Sequence, residues 1–377
     1  MKKISMRKYV TKGAAIIVCF WLTILLQYNC SNKTDSTGQD TITASSATRI
    51  ITDMAGRKVK IPAQVNAVYC AVPTAEAMLY SLAPEKMAAR VGATSHSKYL
   101  NDRLKKLPVL GGWMGEKCTA NLEEIAKQPL DVIIFMTDLD PENKIKTIET
   151  SDGITAQTKK PVVILDSTFT STPQAYRIMG DILGVKERAE KLALYSEQKM
   201  SAISSMVEKI PEEKLVNVYY AEGTSGLATE PEANHHVDVL RFVRGKNVAN
   251  VMNKSGQGMT PVSLEQVLLW NPDVILVSSS TGGTQNYDSI LKDPSWGKIN
   301  AIKKGKVYIT PTIPFGWFDR PPNIMRVLGI QWLAKVVYPD YVKIDLNQEI
   351  KNFFSLFLNQ KLTDKQVAEL LRYSVTH

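Results

Sequence analysis

Several kinds of site are missing from this 377-residue chain. Its four cysteines, Cys19, Cys30, Cys70 and Cys118, have neither metal-ligand spacing nor the density of a disulfide framework. Cys19 lies in an apolar run and Cys30 just beyond it, which leaves Cys70 and Cys118 in the folded part. Either a bridge between them or two separate buried thiols fits that count. There are only four histidines. No Ser-His-Asp arrangement, phosphate loop or zinc-protease spacing is present, and the carboxylates are scattered without a visible acid–base pair. Those absences argue against an enzyme. There is also no basic run. The formal charge of +9 is inflated by Lys2, Lys3, Arg7, Lys8 and Lys12, which lie in an acid-free leader. Nucleic acid is therefore not indicated as a partner.

What is present begins with a targeting segment. Basic residues precede an apolar run over 13–26, short for a transmembrane helix, and Cys30 follows it. This pattern predicts a lipoprotein signal over 1–29, with Cys30 as the lipidated first mature residue, although Gln27, Tyr28 and Asn29 depart from the usual small residues before the cysteine. A plain signal peptide or an uncleaved anchor is the alternative. Residues 30–48, rich in Ser, Thr, Asp and Gly, read as a flexible tether to the body.

The body is organised around 173–210. This stretch reads as a short helix, a break at Gly184 and a long helix from Lys186, on which Ala189, Leu192, Ala193, Ser196, Met200, Ile203 and Met206 recur at helical spacing. About 25 residues at about 1.5 Å rise make a rod of roughly 37 Å. On either side of it, short buried-type strands (65–71, 91–94, 129–135 and 161–165 before; 215–220, 272–277 and 307–309 after) alternate with helices. That alternation predicts an α/β fold with parallel sheets. A weak internal repeat supports one unit used twice: Leu122-Glu123-Glu124-Ile125 leading to Asp131-Val132-Ile133, and Leu264-Glu265-Gln266-Val267 leading to Asp273-Val274-Ile275. The expected arrangement is a lobe over 49–172, a spine over 173–212 and a second lobe with C-terminal helices over 213–377, with a cleft between the lobes. A long helix inside one domain is the competing reading.

These motifs, taken in order, resemble a bacterial substrate-binding protein of a metal-chelate ABC importer, of the helical-spine class. The resemblance rests on Asp53-Met54-Ala55-Gly56-Arg57, on 73–79, on 263–268, on Gly226-Leu227-Ala228-Thr229 with His236-Val237-Asp238-Val239, on 245–249 and on 315–322. Each motif is weak alone, while the ordered set covers about 50–371. The resemblance implies an extracytoplasmic, lipid-anchored monomer without a cofactor. It would deliver a metal chelate, foremost an iron complex or siderophore, to a permease and its ATPase. Cobalamin, haem or a nickel complex is the alternative cargo; a tethered enzyme or a surface sensor domain is the alternative class.

Candidate ligand-binding residues follow from strand ends and helix starts. Tyr69 and Trp113 are placed on the first wall, where an aromatic ring can cover a flat chelate. Trp317, Phe318 and Arg320 are placed on the second, where a guanidinium suits carboxylate or catecholate oxygens. His236 falls on the family's histidine, and a metal held by His236 and His96 is a further reading. Asp319 is weighed as an internal partner of Arg320, and Tyr219, Tyr220 and Glu222 are lesser candidates. The resemblance also implies one acidic docking residue per lobe, assigned to Glu76 and Glu265.

Overall fold

The computed structural model describes residues 47–92, 98–114, 117–252 and 258–375. The leader, Cys30, the tether and His96 lie outside the described residues. No described helix is long and apolar enough to cross a membrane.

The Asp-x-x-Gly-Arg motif closes an antiparallel hairpin, Thr48–Thr52 with Lys58–Pro62. Asp53 accepts hydrogen bonds from the Arg57 amide at 2.9 Å and from Arg57 Nε at 3.0 Å, and Gly56 supplies the left-handed turn with φ of 86°. The same pair fastens the hairpin to a sheet: the Ile164 amide donates to Asp53 at 3.2 Å, and Arg57 Nη2 donates to the Val162 carbonyl at 2.7 Å. That sheet is parallel, in the order Val68–Cys70, Val132–Thr137, Val162–Asp166. Its strands are buried almost throughout, as expected of a sheet covered on both faces.

The helix Thr172–Leu183 ends at Gly184, whose φ of 71° permits the left-handed cap, and Lys186–Val207 follows. This is the spine. The second parallel sheet is built entirely from later residues, with the order Lys246–Asn247, Asn217–Ala221, Val274–Val277, Val307–Ile309. The chain thus makes two α/β lobes joined through the spine.

The internal repeat has a structural role in each lobe. Asn121 caps Leu122–Lys127 by accepting from the Glu124 amide at 3.2 Å, and Ser263 caps Leu264–Trp270 through the Gln266 amide at 3.2 Å. After each helix an aspartate stitches the next strand to its neighbour. Asp131 accepts from the Asn66 and Ala67 amides at 2.7 and 2.9 Å, and Asp273 accepts from the Asn217 amide at 3.4 Å.

Some elements differ from expectation. Pro141–Thr158 is an 18-residue helix that periodicity does not reveal, because its buried face is Thr147, Ser151, Ile154 and Thr158 rather than large apolar residues. Residues 321–325 are loop, and the helix expected from 321 runs over Arg326–Val337. Helix Leu346–Leu358, assigned by sequence to the second lobe, packs on the spine and on the first lobe's Pro73–Leu82. Arg188 of the spine donates both to the Ser81 carbonyl and to the Leu356 carbonyl at 2.8 Å, and the Tyr176 and Phe357 rings meet edge to face at 6.0 Å. Cys70 and Cys118 are both free thiols. Cys70 is buried but Cys118 is exposed, contrary to the expected pair of buried thiols.

Candidate functional site

The first lobe meets the 323–326 segment of the second lobe along a boundary. Beneath its mouth the lobes close on each other: Thr74, Met78, Met136 and Phe169 from the first lobe, with Asn323, Ile324 and Arg326 from the second, surround a cavity of about 10 Å³. That is room for about one water. That cavity is too small for a chelate-sized molecule. A larger depression of about 530 Å³, lined by Val91, Leu110, Thr119, Asn121, Glu124 and neighbours, lies wholly within the first lobe.

On the first wall, Trp113 is half-buried at the end of the strand Val68–Cys70. Its amide donates to the Ala71 carbonyl at 2.9 Å, and its ring leans on Phe135 at 5.8 Å. Tyr69 departs from expectation. It is fully buried and its hydroxyl donates to the Gly111 carbonyl, which makes it a brace for the Gly111-Gly112 turn rather than a wall.

On the second wall, Trp317 and Phe318 are also core residues. Trp317 Nε1 donates to the Ile313 carbonyl at 3.0 Å, and Phe318 packs on Tyr220 at 4.7 Å; both are wholly buried and present no free face. Their burial depends on Gly329, because a Cβ there would fall 1.8 Å from the Trp317 carbonyl oxygen. The aromatic pair thus anchors the loop and delivers the next two residues, Asp319 and Arg320, to the boundary. Tyr219 is likewise internal, its hydroxyl donating to the Gly226 carbonyl at 2.9 Å.

Arg320 is the polar centre of the second wall. Its φ of 44° is unusual for a side chain of this size, a conformation that costs about 1–2 kcal/mol and is concentrated at functional sites. Nε donates to Glu222 at 2.6 Å, Nη2 donates to Glu230, and Asp319 lies 3.5 Å from Nε. The three carboxylates are fully buried, while the Arg320 side chain keeps 19% of its surface. Burial pushes the Glu222 carboxyl up against the pull of Arg320. Burial together with Glu222 pushes Glu230 up to about 9.

The carboxylate oxygens of Glu222, Glu230 and Asp319 lie within 4.8 Å of one another, the only such acid group among the described residues. With the Arg320 guanidinium bonded among them, they read as an ion-pair cluster rather than a metal centre.

His236 is tied into the same network. Asn234 accepts from its amide at 3.0 Å, and its Nδ1 is bonded to Asp319. Only Nε2 is left for a ligand, and the companion expected across the cleft, His96, lies outside the described residues. The structure therefore gives His236 a hydrogen-bonding place. Sequence reasoning missed Arg326 and Glu230. Arg326 is buried, donating to the His235 carbonyl at 2.8 Å and the Phe318 carbonyl at 3.2 Å, with Asp238 at 3.4 Å. Glu230 carries no motif; only its approach to Arg320, 90 residues away in sequence, reveals it.

The two docking candidates also part company. Glu265 is exposed on the first turn of its helix, its carboxyl held below the usual range by its own amide and the Ser263 hydroxyl. Glu76 is half-buried and turned inward, accepting the Val91 amide at 2.5 Å, and burial pushes its carboxyl up to about 7.

Comparison with known proteins agrees with this architecture. Residues 119–314 match the family model described as periplasmic binding protein. An ABC transporter solute binding protein from Sulfurospirillum deleyianum has a solved structure similar to this one, with a TM-score of 0.79 and 28% identity over 86% of this chain and 99% of that one. Among curated relatives, the molybdate-binding protein MolA of Haemophilus influenzae is 25% identical over 82% of this chain and 91% of its own length. The Fe(3+)-citrate-binding protein YfmC of Bacillus subtilis is 23% identical over 80% and 90%. The chain belongs to the periplasmic binding protein family, in its two-lobed, helical-spine form. It is a solute-binding protein, not an enzyme.

Proposed function

We propose that this protein is the solute-binding component of an ABC importer and captures an anionic, oxygen-rich metal species at the mouth between its lobes. The observation that carries this reading is Arg320, a mostly buried guanidinium that keeps about a fifth of its surface open and is placed at the boundary by a buried aromatic anchor. Trp113 covers the ligand from the other lobe, and His236 hydrogen-bonds it. The relatives named for molybdate and for Fe(3+)-citrate bind species that share this chemistry, negative charge displayed on oxygens around a metal. An iron complex with carboxylate or catecholate oxygens remains the first choice, with molybdate beside it; cobalamin, haem and nickel complexes offer a guanidinium less.

Titration of the purified mature protein with ferric citrate, sodium molybdate, haem and cobalamin tests the reading. Saturable binding of the first two, weakened at least tenfold in Arg320→Gln, is expected; binding of haem or cobalamin alone overturns it. Mass spectrometry of ligand retained through native purification identifies the cargo.

Delivery to the permease falls to Glu265 and, in the first lobe, to Glu123. The internal repeat places Glu123 where Glu265 stands, and both are exposed on first helical turns, where the helix dipole favours a fixed carboxylate. This replaces Glu76, whose carboxylate is engaged by Val91. A Glu123→Ala, Glu265→Ala double variant keeps its fold and its ligand affinity but loses uptake, whereas normal uptake at low expression removes both residues from docking. The anchor is Cys30, which acylation would hold at the membrane; Cys30→Ser is expected to shift the protein into the soluble extracytoplasmic fraction.

A further inference from the structure

Glu222 follows Asn217–Ala221, an interior strand of the second sheet, and Glu230 follows Ala228–Thr229, which pairs with Thr260–Pro261 in a separate two-stranded sheet. Both side chains have no exposed surface. Each gives one oxygen to Arg320, and Glu230 also accepts the Met259 amide at 2.9 Å. The second oxygens, Glu222 Oε2 and Glu230 Oε2, are buried without a hydrogen-bond partner among the described residues. Backbone closes on Glu230. A Cβ at Gly258 would lie 2.1 Å from both Glu230 carboxylate oxygens.

The other groups facing the pair do not supply a second cation. Tyr219 and Tyr220, on the strand leading to Glu222, are kept neutral by burial and by Glu222 itself. On the loop, Asp319 adds negative charge. His236 is bonded to Asp319, His235 is exposed, and Arg326 lies 4.0 Å from Asp319 while also pairing with Asp238. The hydroxyls of Thr229, Thr260 and Ser278 are buried and uncharged. One guanidinium therefore answers the enclosed Glu222 and Glu230 carboxylates with the buried Asp319 carboxylate beside them, and like charges this close do not all ionise.

We propose that Glu222 and Glu230 are specificity-determining residues that share one proton and couple capture of an anion at Arg320 to uptake of a second. In the resting state one carboxylate neutralises Arg320 and the other group carries the proton. When an anion reaches Arg320, its charge takes over the pairing with the guanidinium. The remaining carboxylate then takes a proton from solvent, forming one O–H bond. The site so arranged favours anions and binds them more tightly as pH falls. This inference rests on the anionic reading above.

Two measurements decide it. The first uses the ligand-free protein. Infrared difference spectra at pH 7 between wild type and Glu230→Gln or Glu222→Gln are expected to show the carbonyl band of a protonated carboxyl in wild type, lost in either variant. Circular dichroism confirms that each variant is folded. The second is molybdate affinity from pH 6 to 8. Wild type is expected to gain about tenfold per unit fall in pH, one proton per anion, and both variants to lose that slope. A band unchanged by both substitutions overturns the shared proton. With the band present, molybdate affinity independent of pH overturns the coupling alone. Failure of wild type to bind molybdate or ferric citrate at any pH overturns the anionic reading and the coupling with it, while the infrared result stands by itself.

Discussion

Two arginines in this molecule each grip two glutamates, and they do opposite things. On the spine, Arg177 joins Glu190 through Nε and Nη2 at 2.8 and 2.9 Å and Glu197 through Nη1 and Nη2 at 2.6 and 3.0 Å. All three side chains keep 38–45% of their surface. Arg177 lowers both carboxyls, and water takes up what the arginine leaves unmet. At the boundary, Arg320 binds Glu222 and Glu230, which have no exposed surface, and both carboxyls are pushed up instead. The chemistry is the same and solvent reverses the outcome. A solvated arginine fork splices two helices; an enclosed one holds excess negative charge that a proton or a ligand can rebalance.

The largest expected effect separates the two directly. Arg320→Leu leaves two buried carboxyls without their cation and is expected to cost about 3–5 kcal/mol in chemical denaturation, together with anion binding. A loss comparable to that of Arg177→Leu shows instead that the buried cluster relaxes freely.

Next in size is the pH dependence of stability. Glu230 is raised to about 9 in the folded chain from its ordinary value near 4.5, so between those values the folded state holds a proton that the unfolded state has released. The stability it contributes is complete below the unfolded value and is lost as pH rises through the folded one, at about 1.4 kcal/mol per pH unit. Denaturation midpoints from pH 5 to 8 are expected to fall in wild type and to fall less steeply in Glu230→Gln; equal slopes would remove Glu230 as the titrating group. The smallest effect is expected for Arg177→Leu, with an unfolding midpoint nearly unmoved and little sensitivity to pH, since its partners already have water.

The route to the boundary shows why some of the site was legible and some was not. Arg320, His236 and Trp113 carry recognisable residue types beside recognisable breaks in the chain, so they stood out. Tyr69, Trp317 and Phe318 were equally conspicuous, yet residue type does not say which way a ring faces. All three turned inward, and Trp317 could do so because Gly329, twelve positions on, leaves its carbonyl room. Glu76 and Glu123 posed a similar choice. Both lie in the first turn of a helix, but the Val91 amide meets only Glu76.

What the sequence determined by itself are features written in neighbouring residues: the α/β alternation, the break at Gly184, the stripe on Lys186–Val207, the capped repeat, and the Asp53–Arg57 turn. Local hydrogen bonds and the burial of one face are enough to specify these. Tertiary structure alone decided the electrostatic centre. Glu222, Glu230 and Arg320 are separated by up to 98 residues, and their meeting depends on where strand ends and a glycine-permitted loop come to rest. Whether a carboxylate near an arginine is a solvated splice or an enclosed, proton-holding pair depends on the water left around it, and that is set by packing of the whole lobe.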